Sequence, residues 1–152
     1  MARPNKKGLE YFPLDVDIFQ DIKIRKLIRA HHIEALSIYL NILCRIYKEG
    51  YYIKYDSEFT FIISESTGNK EDYIKEVIHS CLNIGLFSLK MFKEGQVLTS
   101  KSIQDRYFLI CWNAKRKFVM TDYLLINPQE VPINFNNKKE TKIKIDKVVL
   151  IK

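Results

Sequence analysis

Carboxylate pairs, histidines, cysteines and clusters of lysine and arginine are the residues here whose types could do chemistry. Asp15 and Asp17 are two apart in an extended segment, which puts both on one side. They could hold Mg²⁺, but no third carboxylate stands at a fixed spacing to complete a catalytic site. Glu140-Thr-Lys142 has the E-x-K spacing of some nuclease sites, yet it lies in a lysine-rich tail with no positioned Asp before it. His31 and His32 are adjacent, so on a helix they point about 100° apart and suit a helix end or the surface better than a shared metal. The third histidine is His79. No G-x-x-x-x-G-K-[ST], G-x-G-x-x-G or G-x-S-x-G motif is present. The chain reads as non-catalytic, with no metal and no cofactor, and a metal-dependent nuclease is the remote third reading.

Cationic side chains are the stronger signal. Arg3, Lys6 and Lys7 give an N-terminal arm of +3, Lys115-Arg116-Lys117 give +3, and residues 138–152 give +4. The whole chain carries +7, so everything else is slightly acidic. Basic arms are common in nucleic-acid binders, and Lys-rich ends also simply keep chains soluble. Cys44, Cys81 and Cys111 are odd in number, far apart and set in apolar helical patterns, which predicts buried thiols in a reducing compartment. With no apolar run at the N-terminus and no membrane-length segment, the expected location is cytoplasmic.

The elements that must position these groups are organised around Asn69 to Phe87. Asn69 is expected to cap a helix, with Asp72 in its first turn facing the positive end. Ile74, Val77, Ile78, Cys81 and Leu82 form one apolar stripe, and Gly85 ends the helix with Leu86 folding back. Before it, a helix from near Asp21 keeps Ile24, Leu27 and Ile28 inside and Lys23, Arg25, Lys26 and Arg29 outside. A longer helix runs from about Ile33 to Glu49, stopped by Gly50, and Tyr51 to Asp56 alternates as a short strand. Ser57 to Thr67 has strand propensity but helix brackets, and helix is chosen. After the central helix, Leu86 to Phe92 and Val97 to Thr99 read as a hairpin or small irregular wing. A last helix starts near Ser100 or Ser102, with Ile103, Tyr107, Ile110, Cys111 and Ala114 inward. Residues 118–152 read as a loosely packed basic tail, in which the alternation from Lys142 could supply an edge strand.

The expected fold is therefore mostly α with a small β wing, winged helix-turn-helix-like, over residues 1–117, with an extended tail over 118–152. Nine Tyr and nine Phe within 47% hydrophobic residues supply a full core for one domain. Four stretches also carry a family resemblance: Met1 to Asp17, Ile46 to Asp56, Cys81 to Phe87, and Val97 to Tyr107. In order, they resemble an uncharacterised N-terminal winged-helix domain of Gram-positive prophage and Bacteroides-type mobile-element proteins. That domain is akin to the N-terminal domains of phage replisome organisers and DnaD-like replication initiation proteins. The resemblance covers the chain up to Lys117. It implies a role around initiation of phage or mobile-element replication, through DNA binding, self-association or both, and names no catalytic residue. Family members often carry a longer C-terminal part.

In a DNA-reading winged helix the outer face of the third helix approaches the major groove. At 100° per residue, that face here holds Asp72, Tyr73, Glu76, His79, Ser80 and Asn83, with Lys70 and Lys75 on its flanks. Two carboxylates facing a polyanion are costly, so phosphate contact is expected mainly from the basic arms. The DNA-binding set is thus Arg3, Lys6, Lys7, Lys70, Lys75, His79, Asn83, Lys115, Arg116 and Lys117, with non-specific or weakly specific DNA as partner. The alternative is a self-association or replisome-docking module, using Tyr51, Tyr52, Tyr55, Phe87 and Phe92 with Leu89 and Met91. Completing the core is the favoured reading of those aromatics.

Overall fold

The computed structural model describes residues 7–127 together with a short strand at Val149–Leu150. Six helices and two small antiparallel sheets make up the described fold. The helices are α1 (Ile22–His31), α2 (Glu34–Glu49), α3 (Phe59–Thr67), α4 (Glu71–Ile84), α5 (Leu89–Gly95) and α6 (Lys101–Asn113). The strands are β1 (Ile53–Lys54), β2 (Val97–Leu98), β3 (Phe118–Val119) and β4 (Val149–Leu150), and a 3₁₀ turn at Ile18–Gln20 leads into α1. β1 pairs with β2 and β3 with β4.

α2 is the centre of the packing, in contact with α1, α3 and α4. It buries Ala35, Leu36, Ile38, Tyr39, Ile42, Leu43, Ile46 and Tyr47 along one stripe. α4 buries its expected stripe of Ile74, Val77, Ile78, Cys81 and Leu82. Its end is also as expected: Gly85 takes φ 93°, and the Leu86 N–H donates back to the Cys81 carbonyl at 2.9 Å. α1 lies antiparallel to α4. At one end the Lys23 ammonium donates to the Gly85 carbonyl at 3.2 Å, and at the other the Tyr73 hydroxyl donates to the His31 carbonyl. Helices also form at Asp21, whose side chain caps α1, and over the ambiguous stretch now seen as α3.

Three expectations fail in the described fold. The stretch after α4 is not a hairpin: Ser88 accepts from the Met91 N–H at 3.2 Å and starts helix α5, leaving only Val97–Leu98 as strand. Asn69 does not cap α4. Lys70 occupies the cap position without a side-chain bond, while the Asn69 carbonyl accepts from the Ser64 hydroxyl at 2.6 Å. In α6, Ala114 is exposed and Ile110 half-buried, and the inward places belong to Gln104 and Phe108.

Core packing continues past Lys117, since Phe118, Met120 and Ile126 are buried. Gln104 is wholly buried and fastens this segment. Its amide nitrogen donates to Thr99 Oγ1 (3.2 Å) and the Tyr123 carbonyl (2.9 Å), and its oxygen accepts from the Leu125 N–H (2.7 Å). Among the described residues, no helix is long and apolar enough to cross a membrane.

Candidate nucleic-acid interface

Lys7, the described end of the N-terminal arm, meets the cluster after α6, although about a hundred residues separate them. The Tyr107 hydroxyl on α6 donates to the Lys7 carbonyl at 2.6 Å, and the Arg116 guanidinium donates to the Gly8 carbonyl at 2.9 Å. Gly8 is required there, because a Cβ at that position would lie 1.6 Å from the Lys48 carbonyl oxygen. The next residue completes the join, with the Leu9 N–H donating to the Tyr47 carbonyl at 2.6 Å. Lys7, Lys115 and Lys117 are exposed, whereas Arg116 is partly buried and holds the junction. Lys115 has φ 54°, so the chain turns sharply between the helix end and Lys117. Arg3 and Lys6 lie outside the described residues, as do Glu140 and Lys142.

The remaining members of the expected DNA-contacting set stand on α4. Lys70, Lys75, His79 and Asn83 are exposed, as are Asp72 and Glu76. Among the described residues, none of them bonds to the arm junction. Their neighbour is α1: His31 Nε2 and Ser80 Oγ are 2.6 Å apart, and Lys23 reaches the α4 C-terminus. The sequence showed the α1 cations as an outer face, but nothing in their spacing disclosed that α4 lies beside them.

The expected interaction surface is largely internal. Phe87 is fully buried against Tyr39, with ring centres 5.5 Å apart. Tyr51 is buried too, its hydroxyl donating to the Asp122 carbonyl at 2.8 Å and accepting from the Asp122 N–H at 3.1 Å. Burial pushes its phenol up to about 12. Met91 is buried, and Tyr52, Tyr55 and Phe92 are half-buried among other rings. Leu89 is exposed. Five of the ten exposed large apolar residues instead lie before and within the start of α1, at Tyr11, Leu14, Val16, Phe19 and Ile22.

Chemistry-bearing groups do not converge. Among the described residues, no three of His, Cys, Asp and Glu are placed to hold a metal ion. Asp15 is exposed and lies 3.7 Å from the Arg106 guanidinium. Cys81 and Cys111 are buried, and burial pushes the Cys81 thiol up to about 12. Cys44 departs from the expectation of three buried thiols. It is exposed, because it follows Leu43 on α2 just beyond the buried stripe.

Fold and surface together define a mostly helical domain with a small antiparallel sheet and basic groups assembled at its surface. Residues 11–103 match the family described as Lin1244/Lin1753-like, N-terminal, and the chain belongs to that family. It is 34% identical over 131 residues to the uncharacterized phage-related protein Lin1244/Lin1753 of Listeria innocua serovar 6a. The alignment covers 86% of this chain and 43% of that relative, so the chain spans less than half the relative's length. No solved structure matches the chain.

Proposed function

We propose that this is a non-catalytic, winged-helix-like DNA-binding module that serves phage or mobile-element replication. The observation that carries the reading is the junction of Lys7 with Lys115–Lys117, held by Tyr107 and Arg116. Lys7 and a cluster distant from it in sequence add their fields at one place, and phosphate contacts of this kind dominate non-specific affinity. The order α2, β1, α3, α4, β2, with β1 antiparallel to β2, supports the winged-helix part. α5 stands where the wing hairpin would run, so base reading through a wing is not part of the proposal. The phage association rests on the relative, which is described as phage-related. The test is binding of duplex DNA across a salt series. Affinity should fall steeply with salt, and changing Lys7, Lys115 and Lys117 together to Gln should flatten that dependence by about 0.9 in log–log slope per lost phosphate contact. No binding at low salt would sink the proposal.

A second reading, self-association, is favoured by the exposed run of Tyr11, Leu14, Val16, Phe19 and Ile22. Asp15 and Asp17 are interleaved with it, and such an acidic, apolar strip is complementary to the basic face of α1 on a second copy. Light scattering decides: a strict monomer at high concentration removes this reading.

A further inference from the structure

α1 carries Lys23, Arg25, Lys26 and Arg29 within ten residues and no carboxylate. All four are exposed. Lys23 and Lys26 are three apart, Lys26 and Arg29 three, and Arg25 and Arg29 four, so each pair is a like-charge neighbour on the helix surface. Lys23 and Arg25 also sit near the N-terminus, where the helix dipole disfavours cations. The one carboxylate at this end, Asp21, caps the Lys23 and Ile24 N–H groups and so leaves at least three of the four cations uncompensated. Among the described residues, the side chains of Arg25, Lys26 and Arg29 have no ion-pair or hydrogen-bond partner. Like-charge repulsion therefore acts along α1 and the dipole opposes Lys23 and Arg25 at its start, while core packing asks only for Ile24, Leu27 and Ile28.

The antiparallel contact between α1 and α4 locates this charge. Lys23 at the Gly85 carbonyl places the start of α1 beside the end of α4, near the exposed Asn83, and His31 at Ser80 places the end of α1 beside the exposed His79. Asp72 and Glu76 belong to the N-terminal half of α4, nearer His31. The carboxylates that weaken α4 as a reader of DNA thus lie towards the His31 end of the seam, where Glu76 neighbours His79, and away from Lys23 at its start. From Lys23 to Arg29 the helix rises about 9 Å. One strand of duplex DNA presents a phosphate for roughly each 3.4 Å of its axis.

We infer that the exposed face of α1 is a second phosphate-contacting surface for duplex DNA, separate from the Lys7/Lys115–Lys117 junction, with Asn83 and His79 of α4 at its border. The inference rests on the DNA-binding reading proposed above. It assigns the backbone contact to α1 and leaves α4 at the edge of the contact.

The experiment uses the 152-residue chain and a labelled duplex of arbitrary sequence, titrated by fluorescence anisotropy from low to near-physiological salt. Arg25→Gln/Lys26→Gln/Arg29→Gln is the α1 variant; it spares Lys23 and its bond to α4. Helical circular dichroism and the melting temperature verify that it folds. The slope of log affinity against log salt should drop by about 2 to 3, close to 0.9 per lost contact. The exchanged-charge variant Arg25→Lys/Lys26→Arg/Arg29→Lys should keep the wild-type slope. A folded Gln variant with wild-type slope and affinity overturns the α1 assignment. If the Lys7/Lys115/Lys117 variant meanwhile loses binding, the DNA reading survives that failure. Absence of binding by the wild-type chain overturns both.

Discussion

Gln104 fixes a stretch of chain that the hydrophobic pattern leaves unassigned. Its amide meets Thr99, the Tyr123 carbonyl and the Leu125 N–H, and the side chain is wholly inside the protein. Gln104→Leu keeps the volume but orphans those backbone groups, so unfolding in urea should show a loss of about 3 kcal/mol. Faster amide exchange around Tyr123 to Leu125 should accompany it. Cysteine chemistry separates in the same way. Cys44 is exposed while Cys81 and Cys111 are buried, so a thiol reagent should label Cys44 quickly and the other two only on unfolding. Burial also pushes the Cys81 thiol and the Tyr51 phenol each up to about 12, from ordinary values of 9.0 and 10.0. The folded state holds these protons more tightly than the unfolded chain. Their contribution is full below the ordinary values and is lost as pH climbs from about 9 towards 12. The urea midpoint should therefore decline above about pH 9, and Tyr51→Phe should lessen that decline although it lowers the midpoint at neutral pH.

Helix ends decide most of what differs between sequence and structure at the scale of elements. The apolar stripe and Gly85 made the body and end of α4 legible, because periodicity and a left-handed glycine are local signals. Its start was not legible in the same way: Ser64 takes the Asn69 carbonyl, and Glu71 turns to the Thr60 hydroxyl at 2.8 Å, both of them tertiary choices. The segment after Gly85 misled for a different reason. Leu86, Phe87, Leu89 and Met91 alternate well enough for a strand, but Leu86 and Phe87 bond back to Cys81, and Ser88 then caps a new turn. Ser88→Ala should cost about 1 kcal/mol through the lost cap. Gly85→Ala should cost about 1–2 kcal/mol, since φ 93° suits glycine while the space beside it holds only the end of Lys23. Thermal unfolding of the two variants, with helical content checked before melting, measures both.

At the scale of the whole molecule, the basic clusters were visible in the sequence and their convergence was not. Lys7 and Lys115–Lys117 are brought together by Tyr107, Arg116 and the bare backbone of Gly8, none of which has a local signature of joining anything. The same long-range joins bear on where the folded unit ends. Charge and proline content placed the boundary after Lys117, but Phe118, Met120 and Ile126 are buried beyond it. Each such side chain contributes roughly 1.5–3 kcal/mol when fully buried. A chain cut after Lys117 would lose all three, and with them the partners of Gln104 and of the Tyr51 hydroxyl. The combined loss, on the order of 5–10 kcal/mol, is comparable to the whole stability of a domain this size. A chain of residues 1–117 should therefore show no cooperative melt, or one lowered by tens of degrees. A chain of residues 1–127 keeps every one of those contacts and, among the described residues, forgoes the pairing of β3 with β4, which involves two residues on each side. It should melt cooperatively within a few degrees of the 152-residue chain. Equal melting of all three would mean that residues 118–126 contribute nothing to the core. If the 1–127 chain also keeps the salt-dependent DNA affinity of the full chain, that affinity belongs to the folded body and not to the lysines of residues 138–152.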